Sequence, residues 1–454
     1  MPLVMKPEVE LSADARGPFL ERAGAGVRHR ISVPEALALG FLAATESPDD
    51  AASLVSQCLG DDSGPRWLEY VARRWTTYLG GGPLRPFDGS ALSRIRWSRY
   101  VPATAFTRYA APAAVSWLVT LACNRRCPYC FYRVLPWKAA DPSSPPDATF
   151  PLEAALRMVH EMGTIGTADL YLTGGEPLIR RDLLTIIAGA SREGIRVHLN
   201  TKYAIDDALA ARLAAAAVAE VSVSLDDARP RIAGALAGAR NYLAEATASL
   251  GALRQAGVRV RVNAVATRLN IDHLDELVRG MIALGVPTLT VSPFADPIPL
   301  RRSAQGLAPA GESLSTRVAT LRDRYGGRIT LEIGSGEAFG PGSIVSCGDR
   351  LLCEVGIRTL DVLPDGSVTR CRYLPDQRAL VVGDLKTESL MDVWKGPRLA
   401  ALYAPSPEAY AGTACSGCGS FGRCNARGRC FASALSTHER LHAPDAACTS
   451  TDRP

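Results

Sequence analysis

Three cysteines in the run Cys123-Asn124-Arg125-Arg126-Cys127-Pro128-Tyr129-Cys130 are the residues of this sequence best suited to chemistry. Their spacing is C-x3-C-x2-C, with an aromatic side chain immediately before the last cysteine. An iron–sulfur cubane is normally held by four thiolates, one on each iron. A tight set of three leaves one iron without a protein ligand, which is the open-position logic of a catalytic metal centre and not of a closed structural one. The alternatives for such a cluster are a zinc knuckle and a chance grouping of cysteines.

A second group follows downstream. Gly174-Gly175-Glu176-Pro177 comes directly after the apolar stretch Leu170–Thr173. Two glycines let the backbone approach a ligand without a Cβ clash, and exposed backbone groups there can grip the charged ends of an amino acid. Asn200, Ser224 and Asn263 stand at or near the ends of later apolar stretches. Each could contact a ligand or satisfy local backbone. The nominees for a catalytic base are Asp226 and Asp227, and neither is supported by its surroundings in sequence. Arg125 and Arg126 read as solvated loop charges.

The third group is C-terminal: Cys347, Cys353 and Cys371, then Cys415, Cys418, Cys424, Cys430 and Cys448. Eight cysteines are what two four-thiolate cubanes require, although C-x2-C pairs also serve zinc. Pro364-Asp365-Gly366 reads as a hairpin turn feeding Cys371. The remaining cysteine, Cys58, lies on an amphipathic helical pattern and reads as a small buried hydrophobe.

These groups need a scaffold. From about 113 to 300, apolar strands are expected at Val115–Leu121, Leu170–Thr173, Val197–Asn200, Glu220–Leu225, Val258–Ala266 and Thr288–Ser292. Helical periodicity falls around 151–163, 181–193, 206–218, 236–256 and 271–284. Alternating strands and helices predict a parallel sheet of right-handed crossover units, with the ligand groups at the carboxyl ends of its strands. Residues 139–149 read as a proline-rich insertion, 301–346 as a linker, and 347–454 as a cysteine-rich domain. Residues 1–112 read as a separate module. It holds an alternating stretch, Val27–Ile31, then the capping-box pattern Ser32-Val33-Pro34-Glu35. Asp49 or Asp50 could cap a second helix, Ser63 a third through Tyr78, and Gly80-Gly81-Gly82-Pro83 closes that third helix.

The cysteine octet resembles the signature of the radical S-adenosylmethionine (SAM) enzymes, and the Gly-Gly-Glu-Pro turn resembles their motif for the SAM amino group. Val221–Asp226 is similar to the family's V-S-L-D strand end, with Asp227 in place of its usual glycine. The C-terminal block resembles the SPASM domain, departing from it by five residues between Cys424 and Cys430 where three are usual. The N-terminal pattern resembles the winged-helix recognition elements known as PqqD-like domains. The resemblance implies an α/β fold with a partial (β/α)6 barrel, SAM, and three 4Fe-4S clusters. Cys123, Cys127 and Cys130 would hold the first cluster. Tyr129 would pack beside the adenine, and Gly174, Gly175, Glu176, Asn200, Ser224 and Asn263 would contact SAM. Auxiliary cluster I would take Cys347, Cys353, Cys371 and Cys430, and auxiliary cluster II would take Cys415, Cys418, Cys424 and Cys448. With both sets filled, the auxiliary clusters would serve as electron relays and not as substrate ligands.

The expected activity is maturation of a ribosomally made precursor peptide, in which a 5′-deoxyadenosyl radical starts an oxidative cross-link or dehydrogenation. An electron donor such as flavodoxin or ferredoxin would be the second partner. The alternatives are a sulfatase-maturing type of enzyme, a SPASM enzyme acting on a small molecule, and a non-catalytic electron carrier. Against the first, Arg372 follows Cys371 where that subfamily has an aspartate base. Against the last, a carrier needs neither the Gly-Gly-Glu-Pro turn nor a barrel. The chain of 454 residues is 47% hydrophobic and 21% charged, with a net charge of +5. That charge is too small to argue for nucleic acid. The sequence shows no apolar stretch of about 20 residues and no secretory signal at its first residues. A cytoplasmic location follows, where clustered cysteines point to metal or catalysis and not to disulfides.

Overall fold

The computed structural model describes residues 3–5, 9–14, 17–22, 28–44, 47–59, 63–75, 79–81, 111–130, 150–294, 305–309, 314–334, 344–347, 350–353, 355–373, 380–403, 405–419, 421–426, 429–444 and 448. The expected insertion at 139–149 lies outside them.

The N-terminal module contains β2 (Val9–Asp14), β3 (Gly17–Arg22) and β4 (Arg28–Arg30), joined as an antiparallel sheet in the order β2-β3-β4. Three helices follow, α1 (Val33–Ala44), α2 (Pro48–Leu59) and α3 (Gly64–Arg74). The capping box is present: the Glu35 amide donates to Ser32 Oγ at 3.2 Å and the Ser32 amide to Glu35 Oε2 at 2.8 Å. Two end signals differ from expectation. The α2 cap is Ser47, whose hydroxyl accepts from the amides of Asp49 and Asp50, because a helix beginning with Pro48 places Ser47 just before it. The third helix stops at Arg74, and Leu79–Gly81 forms a strand, β5, antiparallel to β1 (Leu3–Met5). Gly82 and Pro83 lie outside the described residues. The apolar faces of sheet and helices bury Leu11, Leu20, Leu39, Val55, Val71 and Trp75 in one cluster, which also takes in Ala168 of the next domain.

The core is a ten-stranded sheet of order β12-β11-β10-β9-β8-β7-β6-β15-β16-β17. Its parallel part comprises β6 (Ala114–Leu118), β7 (Asp169–Thr173), β8 (Arg196–Thr201), β9 (Glu220–Ser224), β10 (Val260–Ala266), β11 (Thr288–Pro293) and β12 (Thr330–Ile333). Residues 301–346 are therefore not simply a linker. Helix Leu314–Tyr325 and β12 add a further crossover unit to the sheet. The long helix expected over 236–256 is also two helices, Pro230–Ala237 and Tyr242–Gln255, separated at the left-handed Gly238.

Strand alternation decides which side chains face the helices. Leu170, Leu172, Val197, Leu199, Val221 and Val223 join the main apolar core with Met158, Ile186 and Leu213 of the outer helices. The intervening residues line the inner face, which is charged. Arg196 and His198 of β8 meet Asp169 of β7 at 2.8 and 3.0 Å. Arg261 of β10 meets Glu220 of β9 at 2.8 Å and Glu332 of β12 at 3.2 Å. Buried charges are tolerable only when paired in this way.

The C-terminal domain continues the same sheet. Strand β15 (Thr359–Val362) lies parallel to β6, and β16 (Ser367–Thr369) and β17 (Val381–Asp384) follow antiparallel. The turn after β15 is the expected one: the Gly366 amide donates to Leu363 O at 3.0 Å, and Gly366 sits at φ +86°. A Cβ there would stand 2.5 Å from the Phe150 ring, so both conformation and space demand glycine. Arg372, fully buried, pairs with Asp361 of β15 at 3.1 Å and donates to Ser116 Oγ of β6 at 2.8 Å, tying the domain to the barrel wall. A separate hairpin pairs β13 (Ile344–Cys347) with β14 (Arg350–Cys353).

Candidate active site

The cysteine octet forms an irregular loop just after β6, at the carboxyl end of the barrel. Cys123 is exposed, Cys127 buried and Cys130 intermediate. The Cys130 amide donates to Cys127 O at 3.2 Å, which curls the loop. Although Cys123 is exposed overall, partial desolvation by the surrounding loop pushes its thiol up to about 11, with Glu176, Cys130 and Cys127 adding to the rise. The three thiols thus stand near enough for each thiolate to oppose the others, an arrangement that calls for positive charge among them. A cubane places each thiolate on a different iron, and three thiols on one short loop are the chemistry of such a ligand set with one iron left open.

Beside the loop lies the glycine turn. Gly174 adopts φ +139°, and a Cβ on it would stand 2.4 Å from Thr120 O. On Gly175 the same atom would come within 2.1 Å of Ala122 O. This closeness lets the Gly175 and Glu176 amides donate to Thr120 O and Ala122 O at 2.7 and 2.8 Å, binding the turn to the strand that leads into the octet. The Glu176 carboxylate is buried and accepts from Thr201 Oγ1 (2.7 Å), the Lys202 amide (2.9 Å) and the Leu178 amide (3.1 Å). Burial nevertheless pushes its pKa up to about 7. Such a carboxylate gains from an arriving ammonium.

Asn200 and Asn263 reach the same end of the barrel. Asn263 is buried, and its Oδ1 accepts from Ser292 Oγ at 3.0 Å. The amide nitrogens of Asn200 and Asn263 are both buried without a hydrogen-bond partner among the described residues. Since an unpaired buried donor costs about 1–3 kcal/mol, these two fit a polar ligand in the barrel. Ser224 offers its carbonyl to Tyr242 Oη.

The site holds a cation that the sequence did not flag. Lys202, two residues beyond Asn200, places Nζ 2.6 Å from Asp226 Oδ2 and 2.8 Å from Tyr129 Oη. Tyr129 in turn donates to Asp226 at 2.6 Å. Burial opposes the ammonium, yet Asp226 beside it holds the charge well above the ordinary lysine range. Asp226 also accepts from the Val265 amide at 2.9 Å, and Asp227 is engaged by Arg229 at 2.7 Å. Both aspartates are therefore occupied by cations and poorly suited as bases. Arg125 is not a solvated charge. It pairs with Glu245 at 2.5 Å, donates to Lys202 O at 2.9 Å and lies 4.9 Å from the Tyr242 ring, because its β-loop folds inward onto the helix Tyr242–Gln255. Neither Lys202 nor Arg125 has a sequence signal beyond position at a strand end or inside the octet.

The C-terminal cysteines separate into sets. Burial, then Cys430 and Cys353, push the Cys371 thiol well above its usual range. Those three are neighbours, although Cys430 lies far along the chain. Burial raises the Cys415 thiol with Cys448 and Cys418 adding to it, against the lowering effect of Arg429. Cys424 sits in the helix Phe421–Ala426. Cys347 ends β13 opposite Arg350, three positions along the hairpin from the Ile344–Cys353 pair. The Cys347 and Cys58 side chains lie outside the described residues.

A parallel barrel, three clustered thiols at its carboxyl end, a glycine turn with a buried carboxylate and two further thiol sets define a radical SAM enzyme with a C-terminal SPASM domain, and the chain belongs to that class. Residues 117–281 match the radical SAM superfamily, and residues 353–419 match the SPASM iron-sulfur cluster-binding domain. Among relatives, mycofactocin maturase MftC of Mycolicibacterium smegmatis is 26% identical over 349 residues, covering 74% of this chain and 83% of that protein. A PqqA peptide cyclase of Methylocella silvestris is 26% identical over 284 residues, covering 61% and 72%. The crystal structure of Streptococcus suis SuiB overlays with a TM-score of 0.61 at 14% identity, over 98% of this chain and 100% of that one. The form of SuiB bound to the precursor peptide SuiA gives 0.60 over 99% and 100%. The chemistry of the class uses SAM and iron–sulfur clusters. Among the described residues no helix is long and apolar enough to cross a membrane.

Proposed function

We propose that the chain is a maturase of a ribosomally made precursor peptide. The observation that carries this is coverage: the fold of a protein crystallised with its precursor peptide spans 98% of this chain, N-terminal module included. When bound, the cofactors supply a 5′-deoxyadenosyl radical that removes a hydrogen atom from the peptide, and a route for the electron lost as the cross-link or dehydrogenated product forms.

The protein's own contribution is positioning and charge. Cys123, Cys127 and Cys130 hold a 4Fe-4S cluster with one open iron. Glu176 and the Gly174-Gly175 backbone take the amino end of SAM, and the unpaired amides of Asn200 and Asn263, with Ser224, complete its polar contacts. Tyr129 lies beside the adenine, fixed by its bonds to Asp226 and Lys202. Auxiliary cluster I takes Cys347, Cys353, Cys371 and Cys430. Auxiliary cluster II takes Cys415, Cys418, Cys424 and Cys448. The neighbour relations of Cys353, Cys371 and Cys430, and of Cys415, Cys418 and Cys448, support that division. Residues 1–112 recognise the leader by strand addition to an edge of the small sheet, with the six-residue β2 the longer of its two edges. A flavodoxin or ferredoxin supplies electrons in the cytoplasm.

The sulfatase-maturing alternative is weaker still in three dimensions, since Arg372 is buried in its pair with Asp361. The test is anaerobic reconstitution with any short peptide found encoded beside the gene. About 12 irons per chain, four per cubane, and loss of a hydrogen pair from the peptide uphold the proposal. Zinc in place of iron, or SAM cleavage with an unmodified peptide, defeats it.

A further inference from the structure

Two arginines of the C-terminal domain direct their charge at cysteine sulfurs. Arg370 follows β16, is 1% exposed, and donates from Nη1 to Cys353 Sγ at 2.6 Å. Its guanidinium lies 5.6 Å from the Phe431 ring centre. Arg429 is 7% exposed and donates from Nη1 to Cys415 Sγ at 3.4 Å. It is held by the rings of Tyr410 and Phe421 at 4.5 and 4.7 Å, and its Nη2 donates to Phe421 O at 3.4 Å. Cys353 belongs with Cys371 and Cys430, and Cys415 with Cys418 and Cys448. Each thiol set therefore receives one buried guanidinium.

We propose that Arg370 and Arg429 set the reduction potentials of the two auxiliary clusters, one arginine to each. The inference rests on the reading of these thiol sets as 4Fe-4S ligands. A guanidinium cannot lose its proton, so its charge is permanent at any working pH. Burying it is costly without an anion; the nearby carboxylate of Asp361 lowers that cost but is ion-paired with Arg372, and Arg370 directs its own hydrogen bond to the Cys353 sulfur. Adding an electron makes a cluster more negative, and a nearby cation stabilises that state more strongly where water does not screen it. Hydrogen bonds to ligand sulfurs act in the same direction. Both arginines thus raise the potential of their cluster and favour uptake of the electron released as the peptide is oxidised. The aromatic rings fix each side chain so that the charge stays at the sulfur and does not turn to solvent.

The experiment uses the full chain, reconstituted anaerobically, with iron counted and midpoint potentials read by EPR-monitored titration. Arg370→Met should lower the potential of one auxiliary signal, and Arg429→Met that of the other. Each shift should reach about a tenfold change in the reduced-to-oxidised ratio at fixed potential, ~59 mV for one electron, with the remaining signals in place. Arg→Lys replacements keep the charge and should return part of the shift. Where a Met variant loses its cluster, Arg→Gln, which keeps a donor without the charge, must show the lowered potential. Full iron with unmoved potentials overturns the proposal. So does loss of about four irons in the Met, Gln and Lys variants alike, which would make the arginine a structural support. Wild-type protein holding only one cluster would instead defeat the underlying reading of the thiol sets, whatever the variants did.

Discussion

Arg74, the last residue of α3, reaches Asp169, the first residue of β7, at 3.0 Å. Through that contact the N-terminal module is tied to the amino end of β7. The same strand ends at Gly174-Gly175-Glu176, so one short strand joins the module to the candidate SAM turn. Arg74 also pairs with Glu35 of the capping box at 3.2 Å, and its guanidinium lies 4.9 Å from the Trp75 ring. Burial opposes ionisation of Asp169, but Arg196 and Arg74 hold its carboxyl well below the usual range.

Removing one partner of a buried pair costs about 3–5 kcal/mol because the other charge is left behind. Asp169 keeps Arg196 and His198, so Arg74→Met should fall at or below the low end of that range. Hydrogen exchange of the anaerobic protein should show faster exchange in α3 and at the start of β7, with the helices around β10 and β11 unchanged. Uniform protection across the module and β7 would show that apolar packing around Ala168 holds the two together without the ion pair.

Glu176 makes SAM binding pH-dependent. Its carboxyl is pushed up to about 7 in the free protein, and an ammonium partner needs the ionised form. Affinity should therefore weaken as pH falls through about 7, by about tenfold per unit at lower pH, while loss of the ligand's own ammonium proton near about 8 limits it on the alkaline side. Glu176→Gln should bind more weakly around pH 7.5 and lose the dependence below about pH 7. Anaerobic equilibrium dialysis reads both, and a wild-type profile as flat as the variant's would remove Glu176 from the amino-end role.

Lys202 and Asp226 should behave as one unit. Among the described residues, Lys202→Met leaves the Asp226 side chain with the Tyr129 hydroxyl and the Val265 amide, a loss of about 3–5 kcal/mol. Asp226→Asn alone strands the lysine at comparable cost. The double variant should lose clearly less than the sum of the singles, with a coupling of about 1–3 kcal/mol. Denaturant titration of the cluster-free chain measures all three, and simple additivity would contradict the geometry.

The cysteine sets separate by readout. Cys127→Ala should abolish formation of 5′-deoxyadenosine, whereas Cys418→Ala should permit it and block the modified peptide. A Cys418 variant that makes product at the wild-type rate would exclude a relay role for that cluster.

The scaffold was legible in the sequence because its causes are local. Strands such as Leu170–Thr173 and Glu220–Leu225 announce themselves by apolar runs, and the capping box Ser32–Glu35 by a four-residue pattern. The turn at Gly366 and the close approach at Gly174-Gly175 follow from what only glycine can do. The cysteine octet and the eight C-terminal cysteines carry their chemistry in residue type and spacing. Tertiary structure decided what these residues meet. Lys202, Asp226 and Tyr129 come from the end of β8, the end of β9 and the octet loop, and only the folding of the sheet and its loops places their polar atoms within 2.8 Å of one another. Arg125 looked solvated until the helix Tyr242–Gln255 packed over it. Residues 314–333 lacked the apolar density of an inner strand because β12 is the edge of the sheet, with an exposure pattern to match. Arg370 and Arg429 directly precede cysteines in sequence, yet each donates to a different, distant cysteine. Charge pairing of that kind depends on distances through space, which sequence separation does not encode.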